Sequence, residues 1–185
     1  MNTRPHRRGG LTLIELLVVL AILAVLAAVA APSMAEFVAR HRVDSIANEL
    51  MADLRMARST TIQTNQPISV VFGTTGTTRC YTVAVILDVV GICDCSRGAG
   101  SACSAAIGDP PKELKTVTLN RSVGVTLKAT ANRYEINGSS AMAMSSAFGV
   151  EVNSDNGGRL KVATNITGRP LICNLSGHAD YPSCP

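Results

Sequence analysis

A single carboxylate, Glu15, stands in an otherwise apolar stretch from Leu11 to Ala31, in which Thr12 is the only other polar side chain. A charged side chain costs about 2.5 to 3.5 kcal/mol at the centre of a bilayer, so Glu15 needs a partner, a position near the interface, or both. The sequence therefore makes Glu15 a candidate functional residue.

Sulfur offers a second kind of chemistry, because six cysteines follow the apolar stretch. They are Cys80, Cys93, Cys95, Cys103, Cys173 and Cys184. In an exported domain they would meet oxidising conditions, which favours disulfides. Cys173 and Cys184 flank a short Gly- and Pro-bearing tail that a bridge between them would hold in place.

The other four cysteines leave two alternatives open. Cys93 and Cys95 are too close in the chain for a comfortable mutual bridge, so each is expected to pair with Cys80 or Cys103. A metal site built from the same four residues is the alternative, but C-x-C is not the usual C-x₂-C spacing of zinc ligands. We expect disulfides and no metal.

The remaining polar residues do not suggest an active site. Ser176, His178 and Asp180 could be imagined as a triad, but they are close neighbours in a turn-rich tail, whereas triads are assembled by the fold. We expect no catalytic residue, no cofactor and no enzymatic activity.

Charge excludes a strong bulk attraction to polyanions. The chain carries 17 basic and 13 acidic residues, for a formal net charge of +4, but three arginines lie in the first ten residues. Without those ten residues the balance is 14 minus 13, or +1. Net charge alone therefore does not indicate a nucleic-acid partner.

The apolar stretch must position Glu15, and as a helix it would be roughly 30 Å long, enough to cross a bilayer. The ten residues before it carry arginines and no acid, and they end in Gly9 and Gly10. An ordinary secretory signal cleaved at Ala28-Val29-Ala30 and a plain membrane anchor are the alternatives. The stretch is longer than a usual signal, which also needs no acidic residue.

The junction from Gly10 to Glu15 resembles the prepilin processing site of type IV pilins and type II secretion pseudopilins. The resemblance implies that a prepilin peptidase removes a 1–10 leader by cutting between Gly10 and Leu11, and that the new N-terminus is methylated. It also implies that Glu15 pairs with the N-terminus of a neighbouring subunit during filament assembly. The expected location is the inner membrane, with one pass and the C-terminal domain in the periplasm.

Residues 32–64 are predicted to continue the helix as an amphipathic segment. Apolar or small side chains recur every three or four positions. They include Val43, Ile46, Leu50, Leu54, Ala57 and Thr61. The run from Leu54 to Ser59, followed by Gln66 to Val71, resembles the GspH/FimT family, in which an L-x-x-A-R-S helix leads into a first strand.

Alternating patterns after residue 65 predict an α+β fold, with the long helix packed on an antiparallel β-sheet or β-sandwich in a 65–185 domain. The expected strands are Ile68–Phe72, Cys80–Leu87, Leu114–Leu119, Val123–Ala129, Phe148–Val152, Leu160–Thr164 and Leu171–Cys173. The Gly-, Ala- and Ser-rich segment 93–111 is predicted to be a long cysteine-stapled loop.

One further motif concerns DNA. The run from Gly168 to Leu171 resembles the G-R-x-R strand of FimT/FimU minor pilins, which contributes to DNA binding in DNA-uptake members. Here Leu171 replaces the second arginine, so the motif keeps Arg169 but loses one of its two phosphate contacts. Arg159 and Lys161 lie nearby in sequence, although solvated strand charges are the simpler interpretation.

We therefore expect a minor pilin that helps to initiate or cap a type IV pilus together with other minor and major pilins. The alternatives are a DNA-binding minor pilin for natural transformation and a minor pseudopilin of a type II secretion system. DNA is a conceivable partner but not the favoured one.

Overall fold

The computed structural model describes residues 12–73, 77–86, 91–105, 111–144 and 148–184. It opens with one helix, α1, at Leu13–Thr64. By internal contacts the chain divides between Glu36 and Phe37 into two units, and the helix contributes to both.

In the first unit the described residues from Leu13 onward are helical. Every described side chain from Thr12 to Ala28 is exposed, although nearly all of them are apolar. Among the described residues no single straight helix has the length and hydropathy expected of a membrane span. Two segments of α1, Leu13–Ala28 and Ser33–Thr64, meet these criteria only when they are taken together as a bent pair.

The second unit begins with the amphipathic part of α1, and the face predicted from the periodicity is buried. Val43, Leu50, Leu54 and Ala57 are fully enclosed in the core. The helix ends where Asn65 takes a left-handed conformation with φ of 54°, and its N–H donates to the Thr61 carbonyl. Asparagine tolerates this conformation at the position that follows a helix.

Eleven strands follow the helix within the described residues. Their bounds are β1 Ile68–Phe72, β2 Thr77–Thr78, β3 Cys80–Val85, β4 Gly91–Cys93, β5 Cys103–Ala105, β6 Lys112–Thr118, β7 Val125–Ala129, β8 Arg133–Ile136, β9 Phe148–Ser154, β10 Gly158–Thr164 and β11 Pro170–Ser176. One sheet has the order β6-β3-β1-β8 and a second has the order β11-β10-β9-β7-β2, while β4 and β5 form a hairpin. All strand pairs are antiparallel, which confirms the α+β prediction.

Aromatic side chains join the two sheets in the core. Tyr134 of β8 stacks on Phe148 of β9 with ring centroids 4.7 Å apart, and Phe72 of β1 lies 5.6 Å from the same ring. Tyr81 of β3 extends the cluster, 5.7 Å from Phe72. The chain has only six Phe and Tyr residues, so most of its aromatic surface stabilises this one contact between sheets.

The cysteine-rich segment differs from the predicted loop. Cys93 ends β4 and Cys103 begins β5, where the two residues are opposite each other in the hairpin. A 3-10 helix, Cys95–Arg97, lies between these strands. The strands are too short to show an alternating pattern, and a covalent bond between their cysteines holds them together. Residues 106–110 of the predicted loop lie outside the described residues.

Candidate functional site

Glu15 lies in the first turn of α1, and the geometry there is that of a capped helix start. Thr12 Oγ1 accepts a hydrogen bond from the Glu15 backbone N–H at 3.3 Å. A carboxylate in this turn is favoured by the partial positive charge of the helix N-terminus. Its neighbours Leu13 and Ile14 are largely exposed, so Glu15 belongs to an apolar surface. Gly10 and Leu11 lie outside the described residues.

A groove rich in arginine lies between α1 and the turn that joins β10 to β11. This cavity of about 400 Å³, the arginine groove, is lined by Arg55, Arg58, Ser59, Ile62, Arg169 and Pro170. Arg55 and Arg58 are three residues apart and therefore share a face of the helix. The structure thus brings Arg169 together with two helix residues.

Hydrogen bonds fix the turn that carries Arg169. Asn165 Oδ1 accepts from the Arg169 backbone N–H at 2.9 Å and from Thr167 Oγ1 at 2.7 Å. Arg58 Nε donates to the Thr167 carbonyl at 2.9 Å, which ties the helix to the turn. Gly168 adopts φ of +72°, a conformation that side-chain-bearing residues rarely take.

No described acidic side chain forms an ion pair with the three arginines of the groove; the described salt bridges lie elsewhere. Three guanidinium groups around one cavity repel each other and attract an anion. Leu171, at the position of the second arginine of the FimT/FimU motif, lies on β11 with its side chain 45% exposed.

Arg159 and Lys161 do not join this groove. Arg159 lies at the start of β10, where its Nε donates to Ser176 Oγ at 3.4 Å. Arg169 follows the other end of that strand. The Lys161 side chain passes over Gly149, where a Cβ would be 2.6 Å from its Cε. Arg159 and Lys161 are therefore near Arg169 in sequence but do not line its cavity. Arg159 lies at the opposite end of β10 from Arg169, and an extended strand of this length keeps its two ends apart.

An ion cluster that the sequence did not reveal fastens α1 to the four-stranded sheet. Asp53 is 5% exposed, and its carboxylate accepts from Tyr81 Oη at 2.7 Å and from Lys115 Nζ at 2.8 Å. Lys115 also contacts Glu49 at 3.0 Å. Burial raises the pKa of Tyr81 well above its ordinary value, and the Asp53 carboxylate raises it further. Burial disfavours the charged Lys115, yet its hydrogen bonds to Asp53 and Glu49 raise its pKa overall.

His178 is buried in a structural position. Its Nδ1 lies 3.0 Å from Asp44 Oδ1 and its Nε2 lies 2.7 Å from the Gly157 carbonyl oxygen. Both ring nitrogens are thereby directed away from Ser176, which accepts from Arg159. The imagined triad with Ser176 and Asp180 is not assembled.

The six cysteines form three disulfides, namely Cys80–Cys95, Cys93–Cys103 and Cys173–Cys184. Their sulfurs are therefore not thiolates available to a metal. The last bridge holds the tail beside the edge strand β11. The Asn174 N–H donates to the Pro182 carbonyl at 2.7 Å, and the Cys184 N–H donates to the Asn174 carbonyl at 3.2 Å.

Comparison with known families gives a match over more than half of the chain. Residues 47–168 match the family described as type II transport protein GspH. The chain belongs to the GspH family. Its residues 5–31 also match the prokaryotic N-terminal methylation motif, which covers the junction between Gly10 and Leu11. Comparison with curated protein sequences gave no match.

Solved structures show the same fold for this GspH-family chain. It is similar to a crystal structure of the type IV minor pilin FimU of Pseudomonas aeruginosa, with 17% identity and a TM-score of 0.52. That alignment covers 74% of this chain and 91% of the other. A second crystal form of FimU aligns with 16% identity over 70% of this chain and 90% of the other, with a TM-score of 0.49. The match to the GspH family and this shared fold with FimU together confirm the resemblance to GspH/FimT-family pilins.

The GspH-family match also shows which groove residues a sequence signal could have found. Arg58 is the arginine of the L-x-x-A-R-S run that carried the resemblance, and Arg55 occupies the first variable position of the same run. Their convergence with Arg169 depends on the contact between the helix and the turn that joins β10 to β11, which no local pattern encodes.

Proposed function

We propose that this GspH-family pilin is a minor pilin that enters a short filament and helps to initiate or cap a type IV pilus, without catalysis of its own. The observation that carries the proposal is the start of α1, where a carboxylate lies in the first turn of a helix whose apolar side chains are exposed. Such a surface requires apolar surroundings, either lipid or the helices of other pilins.

In this proposal the chain is stored in the inner membrane by one pass, with its C-terminal domain in the periplasm. Prepilin peptidase cuts between Gly10 and Leu11, and the amine of the new N-terminus is methylated. Glu15 then pairs with the N-terminus of a neighbouring minor or major pilin, which sets the register of the two subunits. The match to the N-terminal methylation motif supports this order of events.

Replacing Glu15 tests the assembly role. Glu15→Ala and the near-isosteric Glu15→Gln should both insert in the membrane, since removal of a charge from an apolar span favours insertion. Both variants should be depleted from the sheared filament fraction, whereas Glu15→Asp, which keeps the charge, should be retained in part. Full piliation by Glu15→Ala in a strain lacking the native copy would overturn the proposal.

Processing is tested separately by intact mass. The mature protein should lack Met1 to Gly10 and carry one added methyl group. A mature N-terminus at Ala31 would instead indicate an ordinary secretory signal. Substitution of Gly10 by a bulky residue should leave the precursor uncut.

Two other functions have a specific observation in their favour. The arginine groove favours a DNA-binding minor pilin for natural transformation, because guanidinium groups bind phosphates. The description of the matched family as a type II transport protein favours a minor pseudopilin of a type II secretion system. Deletion of the gene separates the three roles, through loss of pili, of transformation or of protein secretion.

A further inference from the structure

We propose that the arginine groove docks an acidic, partly apolar segment of a second pilin subunit. This inference rests on the proposed assembly function and adds the contact surface and the chemistry of the partner. Three features of the described residues carry it: unpaired positive charge, an apolar border and a backbone that is already fixed.

The charge of the groove calls for carboxylates. Arg55, Arg58 and Arg169 line one cavity, and no described acidic residue pairs with any of them. Two other cations of the domain have acidic partners, since Lys115 contacts two carboxylates and Arg133 contacts one. A planar guanidinium binds a carboxylate through two parallel hydrogen bonds, so Asp and Glu side chains suit this cavity.

The border of the groove calls for apolar side chains as well. Ile62 lines the cavity and is 52% exposed. Ile166 lies in the turn that also carries Arg169 and is 63% exposed. The Ala143 N–H donates to the Ile166 carbonyl at 3.2 Å, and the residue before Ala143 is Met142, which is 54% exposed. Clustered exposed Ile and Met side chains next to arginine are typical of protein interfaces.

This border favours a protein over duplex DNA. A phosphate backbone would contact the arginines but would leave Ile62, Ile166 and Met142 facing water. Binding of DNA would therefore gain nothing from the burial of these apolar side chains. A peptide segment with both carboxylate and apolar side chains satisfies the whole surface.

The surface is also preformed. The hydrogen bond from Arg58 to Thr167 and the bonds that Asn165 accepts hold the helix and the turn together before any partner arrives. A rigid site loses little conformational entropy on binding, and arginines in such sites commonly contribute much of the binding free energy.

The test is photocrosslinking in intact filaments. The full-length chain is produced in its own host with p-benzoylphenylalanine at Ile62, or at Ile92 as a matched control, since Ile92 is a 67% exposed isoleucine on the cysteine-rich hairpin. Irradiated filaments are sheared off, and the crosslinked peptides are identified by mass spectrometry. We expect position 62 to crosslink to a pilin peptide that contains Asp or Glu, and position 92 not to give that product.

Charge variants identify the recognition chemistry. The paired substitution Arg55→Glu with Arg169→Glu should reduce the crosslink at position 62 at least about tenfold, whereas Arg55→Lys with Arg169→Lys should retain most of it. Protease resistance of each variant shows that the domain is folded. Equal crosslinking by the Glu variant would overturn the inference.

The remaining outcomes also decide. A nuclease-sensitive adduct at position 62 would assign the groove to DNA and overturn the inference. Chain present in the filament fraction without a crosslink at position 62 would overturn the inference and leave the assembly role intact. Absence of the parent chain from the filament fraction would overturn the assembly role, and the inference with it.

Discussion

At the scale of single residues, Asp53 shows how a carboxylate can be held inside this domain. It is nearly enclosed, yet it accepts from a tyrosine hydroxyl and a lysine ammonium that come from two different strands. A buried charge with both partners in place is tolerated, whereas removal of one partner leaves the rest uncompensated. Asp53 therefore fixes the rotation of α1 against β3 and β6.

Asp53→Ala should destabilise the domain by about 3 kcal/mol, because Tyr81 and Lys115 lose a common acceptor. For a domain of this size that lowers Tm by roughly 6 to 12 °C. Thermal unfolding of the mature chain in detergent measures the change. Glu49→Gln is the matched control, since Glu49 contacts the same lysine from a much more exposed position and should cost at most about 1 kcal/mol. Equal effects of the two variants would contradict the assigned role of Asp53.

The buried tyrosines predict how the domain responds to alkali. Burial raises the pKa of Tyr81 and of Tyr134, and Asp53 raises that of Tyr81 further. A folded-state pKa above the unfolded value contributes stability that is present below about pH 10 and is lost as the pH rises further. Phenolate absorbance from these two residues should therefore appear only together with the loss of secondary structure measured by circular dichroism.

Two variants assign that absorbance signal. Tyr81→Phe and Tyr134→Phe should each reduce the absorbance change that accompanies unfolding. Ionisation of either tyrosine while the circular dichroism stays native would contradict the prediction.

At the scale of elements, sequence patterns predicted the pieces with strong periodicity. The buried face of α1 was predicted because Leu50, Leu54 and Ala57 repeat at helical spacing, and β1 and β10 were predicted from their apolar runs. Strand β8 was missed, since its four residues from Arg133 to Ile136 include two charges that pair with each other. Short elements of this kind are fixed by their neighbours in the sheet rather than by their own pattern.

The hairpin of β4 and β5 was missed because each strand has only three residues, too few to show an alternating pattern. Its attachment to the four-stranded sheet gives a further prediction. Glu113 of β6 accepts from the Gly100 N–H at 2.8 Å and from the Ala102 N–H at 3.1 Å. Although partial burial acts to raise the pKa of Glu113, its hydrogen bonds with Thr116, Gly100 and Ala102 lower it overall. One carboxylate thus holds the segment between the two strands against β6.

Glu113→Gln should release this segment, because an amide offers one acceptor oxygen where the carboxylate offers two. Amide hydrogen exchange at Gly100 and Ala102 should become about tenfold faster at neutral pH, with little change elsewhere. Glu151→Gln, on β9 of the other sheet, serves as the control. Unchanged amide exchange at Gly100 and Ala102 would show that the disulfides alone hold the segment between β4 and β5.

At the scale of the whole molecule, charge is nearly balanced but unevenly distributed. Without the first ten residues the side-chain balance is +1, yet the described part of the domain has a groove with three arginines and no described acidic partner. A short motif pointed to Arg169, whereas Arg55 and Arg58 join it only because the turn between β10 and β11 contacts α1. A binding surface assembled from distant segments has no local signature.

This balance predicts weak DNA binding. The mature domain should bind duplex DNA no more tightly than about 10⁻⁴ to 10⁻⁶ M at physiological salt, the range of non-specific binding. Titrations at two salt concentrations measure the affinity and its salt dependence. Tighter, salt-sensitive binding that Arg169→Ala abolishes would rank DNA uptake first, and Leu171→Arg should then strengthen it by adding a second phosphate contact two residues further along the chain.

The covalent attachment of the tail to β11 has a consequence for the maturation of the chain. Strand β11 is an edge of the five-stranded sheet, and its Asn174 backbone is occupied by tail residues only while the tail is held alongside. Before Cys173 and Cys184 are oxidised, that edge is open to pairing with any extended chain nearby, which is a route to aggregation. A host that lacks a thiol oxidant should therefore lose this chain to aggregation or proteolysis.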